Sequence, residues 1–199
     1  MNMDYKIEFF SNWHCGSGLA AGADVDALVV KDKDGLPYVP GRTIKGLLRD
    51  AATELGYAED SIIKVFGKDA KQDGKGVKQD DKDAKQDGKD GEQYSQAGCA
   101  FFSNAELSKH EAAKIVKGQL APYLYQTFAS TAIDDNGIAK DGSLRRIETV
   151  VPCTLYGSIS GIDGTDEKML TEAMMYIKRM GTGRNRGYGR CKLSIGKEE

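Results

Sequence analysis

Residues 42–56 read RTIKGLLRDAATELG, and their apolar side chains obey a single spacing. Ile44, Leu47, Leu48, Ala51, Ala52 and Leu55 stand at i, i+3, i+4, i+7, i+8 and i+11, so one stripe of a helix is apolar, and Gly56 ends it. Such a helix must lay its stripe on another layer of structure. The run DEKMLTEAMMYIKRM, residues 166–180, repeats the pattern with Met169, Leu170, Ala173, Met174 and Ile177. Around these helices lie segments with strand character: Met3 to Phe10, DALVV turning through KDKDG into LPYVP, GCAFFSNAEL, Val150 to Ile159, and CKLSI near the end. The order strand, helix, strands, helix, strand predicts an α+β fold of ferredoxin-like type, a four-stranded antiparallel sheet with its helices on one side. Ser108 and Glu111 read as a capping box ahead of a further short helix, with His110 on its surface.

One segment cannot belong to that core. KDAKQDGK occurs at residues 68–75 and again at 82–89, with one valine between the copies. Lys, Asp, Gln and Gly bury too little apolar area to offset their ordering entropy, so residues 68–93 are expected to be a solvated, disordered insertion in a single domain spanning residues 1–199. The stretch from residue 127 to 148 is polar and turn-rich, poor core material, and is expected to project as a hairpin.

The net charge of −2 demands no polyanionic partner, so any nucleic-acid surface must come from local clustering. Four cysteines, Cys15, Cys99, Cys153 and Cys191, form no C-x-x-C pair and predict free thiols rather than a zinc site. With no signal peptide and no long apolar span, the chain reads as cytoplasmic, with no membrane partner.

Three places carry chemistry. Arg42, Lys45 and Arg49 recur along the polar face of the first helix, and two of them sit in its first turn, where cations oppose the helix dipole. That mismatch suits a bound phosphate; the alternative is an ordinary solvated face. GTGRNRGYGR, residues 181–190, sets Arg184, Arg186, Arg190 and Tyr188 among four glycines between a helix and a strand. Glycines let a backbone approach a phosphate chain, arginines supply forked donors and a tyrosine can stack on a base; the alternative is a plain turn with Gly181 as the helix cap. In GADVDALVV, Asp24 and Asp26 fall on one face of an extended segment, where they could hold a divalent ion or position a reacting group, although paired acids at a strand entrance are often only solvated. His14, in the loop before them, is a candidate phosphate donor or acid–base group.

Together WHCGSG, DALVVKDKDGLPYVPGRTIKGLLR, KVFG with GCAFFSNAEL, AIDDNGIAKDGSLRRIETVVP and GTGRNRGYGR resemble, in this order, the RAMP superfamily, in particular the backbone subunits of type III CRISPR effector complexes. The resemblance implies a modified RNA-recognition fold that polymerises with other copies and other effector subunits along a guide RNA. It also implies that the projecting hairpin, residues 127–148, is a thumb that kinks guide and target RNA. Arg145 and Arg146 on that hairpin join the RNA-binding set. In target-cleaving relatives an aspartate just ahead of the short strand that leads to the L-P-x-x-P-G motif is required for cutting. Asp26 matches that position, with Asp24 in reserve, and Mg2+ or Mn2+ is the implied candidate cofactor. A non-catalytic RNA-binding subunit and a stand-alone endoribonuclease that processes repeat RNA, with His14 as its base, are the alternatives.

Overall fold

The structure is a computed structural model that describes residues 1–22, 24–68 and 95–198. The repeat insertion therefore lies outside the described residues except for Lys68. In chain order the elements are β1 (Asn2–Phe9), α1 (Gly41–Glu54), α2 (Glu59–Phe66), β2 (Gly67–Lys68), β3 (Gln96–Ala97), β4 (Phe101–Phe102), α3 (Lys109–Lys117), β5 (Tyr125–Ser130), β6 (Arg145–Val150), β7 (Thr154–Ser160), α4 (Gly164–Tyr176) and β8 (Cys191–Ile195). Four of the strands make one sheet in the order β4-β7-β1-β8, with every neighbouring pair antiparallel. With α1 and α4 as its crossovers, this is the ferredoxin-like arrangement.

Period-two burial along β1 explains the layering. Met3, Tyr5, Ile7 and Phe9 are buried, while Asp4, Lys6 and Glu8 lie on the other face of the sheet. Ile44, Leu48, Ala51 and Ala52 of α1 and Met169, Leu170, Ala173 and Met174 of α4 form one core with the buried face of β1. Burial of that shared stripe is the main term holding the domain together. Leu48 is fully buried, so Leu48→Ala is expected to cost about 2–5 kcal/mol, read as a lower denaturant midpoint at unchanged slope. At the start of α4 the Asp163 carboxylate accepts from the Thr165 and Asp166 amides in a full capping box, and Lys64 of α2 pairs with both acids.

Several local expectations are corrected. DALVV does not join the main sheet; its residues pair singly, Ala27 with Ile147 and Val29 with Gly16. The strand expected from Val150 to Ile159 is two strands, because Pro152 has no N–H and divides β6 from β7. At α3 the Ser108 hydroxyl accepts from the Glu111 amide, and the return bond runs from that hydroxyl to the Glu111 carboxylate. The last helix stops at Tyr176, and Ile177 turns extended while its side chain stays buried, so Gly181 is not the helix cap. Among the described residues no helix is long and apolar enough to cross a membrane.

Candidate nucleic-acid interface

The thumb is the antiparallel pair β5–β6, registered from Tyr125 opposite Val150 to Ser130 opposite Arg145, and it forms a sheet separate from the main one. Its base is fixed by the segment that follows Asp26. The Asp26 amide donates to Arg146 O at 2.8 Å, and the Arg146 amide donates to Asp26 Oδ2 at 2.7 Å. Further along, the Glu148 amide donates to Ala27 O, and the Glu148 carboxylate accepts from the Val29 amide and from Lys31 Nζ. Lys31 also lies over the Tyr125 ring, 3.8 Å from its centroid. Burial, reinforced by the Glu148 carboxylate, keeps the Tyr125 hydroxyl protonated well above its ordinary range, and it donates to Gly35 O.

Opposite the thumb stands the glycine loop. Gly181, Gly183, Gly187 and Gly189 all have positive φ, and a short 3-10 turn, Arg184–Arg186, projects between them. Three of these positions also lack room for a side chain: a Cβ on Gly181 would lie 2.3 Å from His14 O, one on Gly189 1.8 Å from Met180 O, and one on Gly183 2.8 Å from Tyr188 Cδ2. Tyr188 meets Phe128 of β5 edge to face, with ring centroids 5.8 Å apart, so loop and thumb touch through an aromatic pair.

Between these walls lies a cleft of about 920 Å³, lined by Asp26 and Ala27, by Phe128, Ser130, Arg145 and Ile147 of the thumb, and by residues 181–186 and Tyr188. It brings together one carboxylate, three arginines and two aromatic rings, from three regions far apart in sequence. Exposed arginines can grip phosphates bidentately, the rings can stack on bases, and the second oxygen of Asp26 remains for a hydroxyl or a metal. Of the residues expected to act, Asp26, Arg145, Arg184, Arg186 and Tyr188 line the cleft. Phe128, Ser130 and Asn185 were not singled out from the sequence, and no local periodicity around them signals the cleft.

Other candidates stand elsewhere. Arg146 contributes its backbone, through the bonds to Asp26. Arg190 borders a different groove with Phe10, Lys178, Arg179 and Lys192. Arg42, Lys45 and Arg49 lie on α1, away from the cleft lining; the first turn of α1 holds no acidic side chain, and its Gly41 amide donates to Asn104 Oδ1. Asp24 sits exposed in a turn closed by the Ala21–Val25 pair rather than on an extended face beside Asp26. His14 is buried, with Nδ1 2.6 Å from Glu148 O, and so does not present a phosphate donor or a base at the surface. Among the described residues no three His, Cys, Asp or Glu side chains converge, so a divalent ion at Asp26 would take its remaining ligands from water and RNA. The cysteines are free thiols, and burial pushes Cys15 and Cys191 up to about 12, leaving them unsuited to nucleophilic work.

A model of the RAMP superfamily matches residues 6–192. Two solved structures share the fold at a TM-score of 0.67. One is a chain of the cryo-EM structure of the Type III-B Cmr-beta bound to cognate target RNA, 11% identical, with 98% of this chain and 96% of that one covered. The other is a chain of the Type III-B Cmr-beta in the apo state, 14% identical, with 100% and 98% covered. At these identities the likeness is one of fold. No curated protein matches the sequence.

Proposed function

The chain belongs to the RAMP superfamily, and from that premise we propose that it is a guide-RNA-binding backbone subunit of a type III CRISPR effector complex that cuts target RNA beside Asp26. The observation that carries the reading is the cleft, where a single carboxylate faces Arg145, Arg184, Arg186 and Tyr188. The two structural neighbours, from Type III-B Cmr-beta with cognate target RNA and in the apo state, support the choice of complex. The partners are then guide RNA, target RNA, further copies of this chain and other subunits. The polar face of α1, with Arg42, Lys45 and Arg49, is a second phosphate contact separate from the cleft.

In the cut, the target ribose 2'-hydroxyl gives up its proton and bonds to its own 3'-phosphate, while the 5'-oxygen of the next nucleotide leaves and takes a proton. In-line geometry is the main requirement, and a thumb that bends the strand supplies it. Asp26 orients or deprotonates the hydroxyl through its second oxygen; Mg2+ or Mn2+, when bound there, would add charge stabilisation at the phosphate.

One observation favours the non-catalytic alternative: Asp26 Oδ2 already serves the thumb backbone, a structural duty sufficient to explain an aspartate there. The repeat-processing alternative needed His14 as a surface base, and the burial of its ring counts against it.

The binding half is tested by RNA affinity across a salt series. Arg184→Glu with Arg186→Glu is expected to weaken binding at least about tenfold and to lower the salt slope by about one per lost phosphate contact. Arg190→Glu, in the other groove, is expected to leave both nearly unchanged. Equal affinity and slope for the wild type and the double variant would remove the cleft from the RNA path.

A further inference from the structure

The segment from Ser11 to Cys15 holds all three walls of the cleft without lining it. Ser11 Oγ accepts from the Arg190 amide at 3.0 Å and Asn12 O from the Gly189 amide at 2.8 Å, which ties down the end of the glycine loop. Trp13 exchanges two backbone bonds with Val150 at the foot of β6, and its buried ring stacks on Phe9 at 4.4 Å. Cys15 O accepts from the Val30 amide, four residues beyond Asp26.

His14 joins two walls at once from the interior, beside Asn12, whose carbonyl takes the Gly189 amide and whose side-chain amide donates to Gln126 Oε1 and Thr149 Oγ1 at the exposed base of the thumb. The His14 ring is 2% exposed, and Nδ1 lies 2.6 Å from Glu148 O; a carbonyl only accepts, so Nδ1 carries the hydrogen and donates. Its own carbonyl accepts from the Thr182 amide at 2.9 Å and fills the space that a side chain on Gly181 would need.

We infer that His14 is a positioning residue that couples the thumb to the glycine loop, its ring holding β6 and its carbonyl holding the loop. Through it, together with the Asn12 tie, the separation of Arg145 from Arg184 and Arg186 is set. Glu148 extends the coupling to the third wall, because the residue whose carbonyl accepts the hydrogen bond from His14 Nδ1 also holds Val29 and Lys31 through its carboxylate. Without the ring, the Glu148 carbonyl is left unpaired in the interior, and β6, the Asp26 segment and the loop loosen together. The consequence for RNA rests on the function proposed above; the mechanical coupling does not.

The test is amide hydrogen exchange on the full chain without RNA, followed by RNA affinity. In His14→Leu, exchange within residues 181–190 is expected to rise about tenfold together with that of residues 145–150, the equivalent of one lost buried hydrogen bond, although the ring's hydrogen bond is to the second stretch. Exchange in β1 and α1 should stay at its wild-type level. His14→Asn, whose side-chain N–H stands close to the position of Nδ1, is expected to restore protection in both stretches. The leucine variant should bind RNA about tenfold more weakly and the asparagine variant as the wild type does. His14→Phe is a second variant without a donor, to be read the same way if the leucine chain does not fold. A glycine loop as protected in the donor-less variants as in the wild type would overturn the coupling, as would an asparagine variant that opens as far as they do. Loosening as expected in a chain whose wild type binds no RNA would sustain the coupling and reject the RNA reading.

Discussion

In the assembled complex, Asp26→Asn is expected to slow target-RNA cleavage by about 10²–10⁴-fold, the range for loss of an acid–base group, with guide binding unchanged. Asparagine is the informative substitution because it keeps an oxygen that can accept the Arg146 amide, 2.7 Å from Asp26 Oδ2 in the native chain. It removes the charge and leaves the thumb anchor. Asp26→Ala removes both and should also cost about 1–3 kcal/mol of stability from the unpaired amide, so its activity alone would not separate chemistry from structure. Asp24→Asn, in the neighbouring turn and outside the cleft lining, is expected to cut at the native rate. The measurement is the single-turnover rate on a guide-matched target, with divalent ion present and then chelated. Cutting by the asparagine variant at the native rate would leave Asp26 as a structural acceptor and give the non-catalytic reading its case.

The layers of this fold were legible because they are written locally. The stripe from Ile44 to Ala52 and the alternation from Met3 to Phe9 each lie within one element, and each is buried as its period requires. Leu55 ends the first stripe yet is exposed, since it lies just beyond the last helical residue. The cleft was harder to read because its contacts are not local. Asp26 meets Arg146 across 120 residues and His14 meets Glu148 across 134, and no periodicity within either segment signals such a pairing. A histidine in a loop with serine, asparagine and glycine has the composition of a surface group; it is buried because two distant segments close over it. The same lack of local signal hid the fate of DALVV, whose apolar run suits a strand of the main sheet, while its backbone bonds go instead to β6 of the thumb and to residues 15–19. Arginine content, by contrast, did locate one wall of the cleft, since the loop carries its charge in one run.

That run also yields the largest expected stability effect. Gly189→Ala is expected to destabilise the chain by about 3–5 kcal/mol, or a melting temperature lower by roughly 6–20 °C for a domain of this size. Two costs combine there: φ of +68°, which side chains rarely adopt, and a Cβ placed 1.8 Å from Met180 O. Met180 is fully buried and its amide donates to Gly189 O, so relief of the clash would move a core residue and break that bond. Gly187→Ala is the matched comparison, because its φ is +90° but nothing lies within 4 Å of the added carbon. It should cost only the conformational part, about 1–2 kcal/mol. The difference between the two melting temperatures isolates the packing of the loop against the core from its backbone shape. If the two alanines cost the same, the loop is held by conformation alone, and its register against Met180 does not fix where Arg184, Arg186 and Tyr188 stand. If Gly189→Ala costs several kcal/mol more, the glycines serve the loop's seating on the core as well as its turns, and the arginines between them are presented from a rigid base.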